Sequence, residues 1–460
     1  MKALMIAGDR SGSGKTSITL AIAALFSKKM AVQTFKVGMD YIDPSYLTGV
    51  TGRPCRNLDT YVMDERQVRA IYSHGCRGAD LAIVEGVRGL YEGAEALGDS
   101  GSSASVARCL DIPVILVVNA RSITRSAAAL VRGFQSFDPD IRIEGVILNN
   151  VAGEKHIHKA ASAVEHYCRI PVIGAIPRMQ EMELAMRHLG LTPYREGREN
   201  GEFQDRIRVV TERIGEHVDL DRLLSVACPS TRQQDSQEIF RPADVRDITI
   251  GIAYDEAFNF YYADLFDVLH AMGARTVCFS PLRDALPDAD GYIIGGGYPE
   301  LFLPDLAKQE DLKRDIRDAS RSGVPIYAEC GGLMYLTEEI ILKDGWQGIP
   351  GERRFPMCGV FKGTTTMPGR RVVAYVEGKS TPGSPMGKCN FRGHEFHYSD
   401  VSLDPGTRFA YSLTRGHGIS GGSDGALTDR TIGSYTHLHP VASLPMFSHF
   451  LSTCRIQVGG

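Results

Sequence analysis

The stretch Ile326-Tyr-Ala-Glu-Cys-Gly-Gly-Leu-Met-Tyr335 runs from an apolar strand through a tight corner into a helix, with the thiol of Cys330 at the corner. A cysteine there meets the N–H groups and positive dipole end of a starting helix, which favour the nucleophilic thiolate. Two other segments point to the same chemistry. Gly433-Ser-Tyr-Thr-His-Leu-His439 closes another apolar run with two histidines, and His437 is a candidate base for a leaving group. Tyr292-Ile-Ile-Gly-Gly-Gly-Tyr-Pro-Glu300 is a strand opening into glycines. N–H groups at Gly296 and Gly297, with Gly331 beside the thiol, can hold an oxyanion. A lone cysteine is more often a buried structural residue, but the three segments in this order favour a nucleophile.

Outward from this corner the chain reads as α/β. Short Val/Ile/Leu runs at 3–7, 32–37, 81–85, 114–119, 145–149 and 172–175 alternate with helical patterns such as 16–27 and 121–134. Continuous apolar strands of this kind predict a parallel sheet covered on both faces. A second series begins at 248–253 and continues at 276–279, 291–294 and 324–328. Between the series, residues 228–247 are polar and include two prolines, which predicts a linker. The expected organisation is therefore a domain at 1–227, a linker at 228–246 and a domain at 247–460. A length of 460 residues is too great for one ordinary core and agrees with that division.

The amino-terminal strand leads into Gly8-Asp-Arg-Ser-Gly-Ser-Gly-Lys-Thr16, a phosphate-binding loop in strand-to-helix context. Gly12, Ser13 and Gly14 present N–H groups to phosphate oxygens, Lys15 reaches the terminal phosphates, and Thr16 can ligate Mg²⁺. The spacing departs from the usual pattern, because Asp9 stands where the first glycine belongs and Gly8 lies one residue earlier. Phe35-Lys-Val-Gly-Met-Asp-Tyr-Ile-Asp-Pro44 places Asp40 and Asp43 beyond a strand's carboxyl end, and Glu85 ends the buried run that starts at Leu81. Thr16, Asp43 and Glu85 form a hard-oxygen set for Mg²⁺. Asn149 ends another strand and either reads the adenine edge or caps a helix.

A formal net charge of −4 without a Lys/Arg cluster argues against a nucleic-acid or acidic-membrane partner. No apolar stretch approaches membrane-spanning length, and the chain starts directly with a strand, leaving no room for a signal peptide. Ten scattered cysteines contain no C-x-x-C pair, so a zinc ribbon or disulfide framework is not expected and a reducing cytoplasm is.

The Cys330, His437 and triglycine segments together resemble a class I glutamine amidotransferase site. A closer resemblance covers nearly the whole chain. The loop Ser11–Thr16, the Asp40–Pro44 turn, Arg53 with Arg56-Asn-Leu-Asp59, Glu85-Gly-Val-Arg-Gly-Leu-Tyr-Glu-Gly93, Arg187-His-Leu-Gly-Leu191, Glu329-Cys-Gly-Gly-Leu-Met334 and the closing histidine segment stand in the order found in tetrapyrrole a,c-diamide synthases. That resemblance implies a dethiobiotin synthetase-like domain that uses ATP and Mg²⁺ to activate a carboxylate, followed by a glutaminase domain. It implies Cys330 as nucleophile, His437 as its base, and a tetrapyrrole, glutamine and ATP as ligands, with a homodimer left open. Asp40, Tyr41, Arg53, Arg56 and Arg88 are candidates for substrate contact, the arginines through bidentate pairing with carboxylates. The usual class I pattern has Glu two residues after the histidine. Here that position is His439, which leaves a water or a backbone carbonyl to orient His437. Met39 and the texture of residues 40–46 lean toward the nickel-sirohydrochlorin branch over the cobyrinate branch. Two other readings remain: a cobyric acid synthase-like enzyme, and a ParA-like ATPase switch bearing an inert amidotransferase-like domain.

Overall fold

The computed structural model describes residues 1–179, 201–230, 237–243, 247–348 and 350–455, and the chain divides into two units, Met1–Ser236 and Gln237–Gly460. The motif at 187–191 lies outside the described residues. In the first unit, β1 (Lys2–Gly8), β2 (Val32–Val37), β3 (Arg56–Leu58), β4 (Leu81–Gly89), β5 (Val114–Asn119), β6 (Ile143–Val151) and β7 (Val172–Pro177) form a sheet in the order β3-β2-β4-β1-β5-β6-β7. Every pairing in it is parallel. Ala3, Leu4, Met5, Ile6 and Ala7 are all 0% exposed, so β1 buries both of its faces, as its unbroken apolar run requires. Each large side chain so buried contributes about 1.5–3 kcal/mol. Six of these strands match the runs read from sequence. The seventh, β3, has three residues and shows no period to read.

Register places the chemistry. Ile6 and Lys36 both pair with Glu85, which aligns β1, β2 and β4 at the edge where the loop leaves β1. The loop ends at Gly14, whose φ of 92° is left-handed and opens the helix Lys15–Ser27. The helix expected at 121–134 instead spans Arg125–Phe137. Its start is delayed because Ser122 has φ 62° and Asn119 Oδ1 accepts the Arg121 N–H at 3.2 Å, holding a turn. Cys228 exchanges two backbone hydrogen bonds with Ala3.

The second unit contains a mixed sheet. Its parallel part is β9 (Ala274–Phe279), β8 (Ile248–Ala253), β10 (Gly291–Ile294), β11 (Ile326–Glu329) and β20 (Thr431–Ser434). From β20 it continues antiparallel through β19 (Ser423–Thr428), β18 (Arg408–Arg415), β15 (Val372–Ser380) and β16 (Asn390–His397). A smaller sheet runs β13-β12-β14-β17, from Arg353–Pro356, Glu339–Leu342, Gly363–Met367 and Asp400–Leu403. The antiparallel strands alternate buried and exposed residues and include glycines, so they carry no continuous apolar signal. Phe258, Phe260 and Tyr262 are 0–5% exposed and belong to the core of this unit. No described helix is long and apolar enough to cross a membrane.

Candidate active sites

In the first unit the loop after β1 folds back tightly. A Cβ on Gly8 would lie 2.3 Å from Ser13 Oγ, so Gly8 supplies the close approach that the usual first glycine provides. Asp9, in that glycine's place, pairs with Arg10 at 2.9 Å. Asn149 Nδ2 donates to Ser13 O at 2.9 Å and would stand 2.3 Å from any Cβ on Gly14. Asn149 therefore braces the loop, and neither role read from sequence describes this bond.

Thr16, Asp43 and Glu85, proposed from sequence as one set, do meet. Thr16 Oγ1 lies 2.7 Å from Glu85 Oε1 and 3.4 Å from Asp43 Oδ2. Sequence reading passed over Lys36. Its ammonium sits between the two acids, 2.5 Å from Asp43 Oδ2 and 2.7 Å from Glu85 Oε1, with its side chain 3% exposed. Burial alone would lower Lys36, but Asp43, Glu85 and Asp40 outweigh it and hold the ammonium protonated. Burial and the neighbouring Lys36 lower Lys15. Burial pushes Glu85 up, whereas for Asp43 the Lys36 charge overcomes burial and pulls the carboxyl down. Burial and Asp43 push Asp40 up to about 7. The signal for Lys36 was a cation inside a short strand flanked by Phe35 and Val37, where burial is costly unless the charge is paired.

The candidate substrate residues fall in different places. Asp40 Oδ1 accepts the N–H of Ile42 at 2.8 Å at the start of the helix Ile42–Thr51, and Tyr41 is the residue between. Arg53 bonds Gln33 Oε1 and the carbonyls of Gly75 and Arg77 at 2.7–3.1 Å, which makes it a brace. Arg56 is buried in β3, whereas Arg88 is exposed near the end of β4 with φ 48°.

In the second unit Cys330 sits at the corner between β11 and the helix Gly331–Leu336, with φ 48° and ψ −100°. Its N–H donates to Ser434 O at 2.7 Å, which anchors the corner to β20. A non-glycine residue at positive φ is a strained arrangement that recurs at functional sites. The helix can begin there only because Gly332 lacks a side chain, since a Cβ would lie 2.0 Å from Ile294 O. A Cβ on Gly331 would be 3.2 Å from Gly297 N, and one on Gly296 would be 2.9 Å from His437 Cε1. The three glycines read as an oxyanion site thus gather around the thiol and the histidine.

His437 rides on a segment pinned by Asp424, which accepts the N–H groups of Tyr435 and Thr436 and the Thr436 hydroxyl at 2.6–3.0 Å. Its backbone pairs with His394, and the two rings stack with centroids 4.9 Å apart. Burial alone would lower His437, but the side chains of Cys330 and Glu329 raise it to about 10. His437 Nδ1 faces Glu329 Oε2 at 3.3 Å, where a water or backbone carbonyl was expected. His439 turns elsewhere, with Nε2 3.5 Å from Asp264 Oδ2 and its ring on Tyr262. Glu329 was visible in sequence as the acid preceding the cysteine, but its partner lies across the sheet.

Residues 4–191 match the CobQ/CobB/MinD/ParA nucleotide binding domain, and residues 249–443 match the CobB/CobQ-like glutamine amidotransferase domain. The chain thus joins a nucleotide-binding domain and a glutamine amidotransferase domain. It is 51% identical to the cobyrinate a,c-diamide synthase of Methanosarcina acetivorans over 95% of this chain and 92% of that one. The proteins of the same name from Methanosarcina barkeri and Methanothermobacter thermautotrophicus are 48% and 41% identical, over 98% and 97% of this chain and 96% and 97% of theirs. The chain belongs to the cobyrinate a,c-diamide synthase family.

Proposed function

We propose that this protein is an ATP- and glutamine-dependent ligase that converts the a and c acetate side chains of cobyrinate to amides. Near-full-length identity of up to 51% to proteins named for that reaction carries the reading. The two side-chain clusters support a role for each unit. Residues 1–227 would activate the carboxylate and residues 247–460 would supply ammonia, with 228–246 as linker.

In the second unit Cys330 Sγ attacks the glutamine carboxamide carbon while N–H groups at Gly297 and Gly331 hold the oxyanion. His437 gives its proton to the departing nitrogen, which leaves as ammonia, and water hydrolyses the thioester to glutamate and the free thiol. In the first unit a substrate carboxylate attacks the γ-phosphorus of ATP and ADP leaves. Ammonia then displaces phosphate from the acyl phosphate to form the amide. Lys15 and Lys36 face the charge on the transferring phosphoryl group.

Thr16, Asp43 and Glu85 fit Mg²⁺, because all three offer hard oxygens and Glu85 Oε2 is buried without a hydrogen-bond partner. When bound, the ion would neutralise charge on the phosphates. No group of three or more His, Cys, Asp or Glu fit to hold a metal occurs among the described residues, so phosphate and water would complete its shell. Exposed Arg88 is the best placed of the candidate arginines for a substrate carboxylate.

The sequence lean toward nickel-sirohydrochlorin finds no counterpart in the names of these relatives, so cobyrinate takes precedence. The low net charge keeps nucleic acid and membranes out of this reading. The test is amidation of cobyrinate and nickel-sirohydrochlorin side by side, with glutamine and ATP, read by mass. Two carboxyl-to-amide conversions on cobyrinate, with ATP consumed for each, are expected. Faster turnover of nickel-sirohydrochlorin would reverse the substrate choice, and no amidation of either would defeat the reading.

A further inference from the structure

We propose that Glu329 is the positioning residue for His437, so that the carboxylate of a Cys330–His437–Glu329 relay comes from the residue before the nucleophile. The inference rests on the glutaminase reading above and assigns the orienting role that the residue two after the histidine cannot fill.

Position comes first. Glu329 ends β11 and its side chain is only 9% exposed, while that of His437 is 1% exposed. One oxygen, Oε2, faces His437 Nδ1 at 3.3 Å. The other, Oε1, receives the N–H of Leu438 at 2.9 Å and the hydroxyl of Tyr327. Tyr327 and Glu329 lie two residues apart on one strand and so share a face of the sheet. The carboxylate is therefore held from its own strand by Tyr327 and from the histidine's segment by Leu438. A buried carboxylate without such partners would be costly, and this one is paired on both oxygens.

His439, by contrast, faces Asp264 at 3.5 Å and the ring of Tyr262 at a centroid distance of 4.6 Å. The two other histidines described beside the imidazole bring it no negative charge. His394 stacks on it from β16, and burial, with His437 next, holds His394 well below the ordinary histidine range and hence neutral. His397, from the same strand, is lowered to about 4 by burial, with His437 adding to the effect. Cys330 and Glu329, both from the β11 corner, are the two groups that raise His437.

The chemistry follows from the two ring nitrogens. With Nδ1–H donated to Glu329, Nε2 is the atom left to exchange a proton with the thiol. His437, raised to about 10, already holds the proton at neutral pH, and the Glu329 carboxylate balances this imidazolium while the Cys330 thiolate attacks. That proton then goes to the departing nitrogen, and the imidazole regains one from the water that hydrolyses the thioester. Glu329 touches neither substrate nor the reacting sulfur and acts only through the histidine.

The test uses Glu329→Gln in the full chain. Glutamine keeps the size and an acceptor for the Leu438 N–H but removes the charge. Glutaminase kcat, read as glutamate release, should fall by orders of magnitude, up to about 10⁴-fold. KM for glutamine should stay near its wild-type value. The alkaline limb of the pH profile should move to lower pH, and Glu329→Asp should move it part of the way back. ATP-dependent amidation with ammonium should keep its rate, which separates this loss from unfolding. An alkaline limb unmoved in Glu329→Gln would overturn the proposal, since a purely structural role predicts that result. If Glu329→Gln does not fold, the wild-type protein labelled with ¹⁵N-histidine decides. His437 Nδ1 should read as protonated at neutral pH, and an unprotonated Nδ1 overturns the proposal. Glutamate release needs no tetrapyrrole, so failure of the cobyrinate assignment would leave this test intact and distinguishable.

Discussion

Lys36 Nζ lies 2.7 Å from Glu85 Oε1, although the two residues are 49 apart in sequence and sit on adjacent parallel strands. Removing the cation leaves Glu85 fully buried beside Asp43, like charge against like charge. Lys36→Met should therefore cost about 3–5 kcal/mol, the usual penalty for breaking a buried ion pair on one side. Thermal unfolding of the variant should show a clearly lowered midpoint. An unchanged midpoint would mean that the two carboxylates tolerate each other without Lys36.

Cys330→Ser should abolish glutamine-dependent amidation and leave ammonium-dependent amidation near the wild-type rate, because the phosphate-loop cluster is untouched. Product mass with each nitrogen source measures both outcomes. Loss of both activities in a folded variant would count against two separable sites.

His437 is raised to about 10 in the folded protein, against about 6.5 for an unperturbed histidine. A folded value above the unfolded one means that the pairing stabilises fully below about pH 6.5 and is lost as pH rises through about 10. Glutamate release should hold across the neutral range and fall near pH 10, as the acid for the leaving nitrogen disappears. The midpoint advantage of wild type over His437→Asn should shrink over the same window. A glutaminase profile that declines already near neutrality would contradict the raised histidine.

Gly332→Ala inserts a Cβ 2.0 Å from Ile294 O, and a backbone carbonyl in a buried strand cannot move aside cheaply. Overpacking of this kind costs about 1–3 kcal/mol or displaces the corner. Glutamate release should be lost while ammonium-dependent amidation persists. Full glutaminase activity in Gly332→Ala would show that the corner has more room than the structure gives it.

Signals that are local in the chain were legible in the sequence. The apolar runs that became β1, β5 and β10, and the one that opens β4, needed only their residue types, because a strand buried on both faces is largely apolar. Gly14, Lys15 and Thr16, and Cys330 with its glycines, were readable for the same reason, since a strand–turn–helix corner is set by a few neighbouring residues. Strands such as β15 and β16 were not legible, because partly exposed antiparallel strands interrupted by glycines carry no such run.

What the sequence by itself determined is therefore the kind of fold, the two corners and the side chains most able to do chemistry. Only the tertiary structure decided the partners. It set Lys36 between Asp43 and Glu85, turned His439 toward Asp264, and brought Glu329 to His437 from 108 residues away. The physical reason is that a buried charge must find an opposite charge or a hydrogen bond. Strand order and register, which no local pattern encodes, determine which residue supplies it.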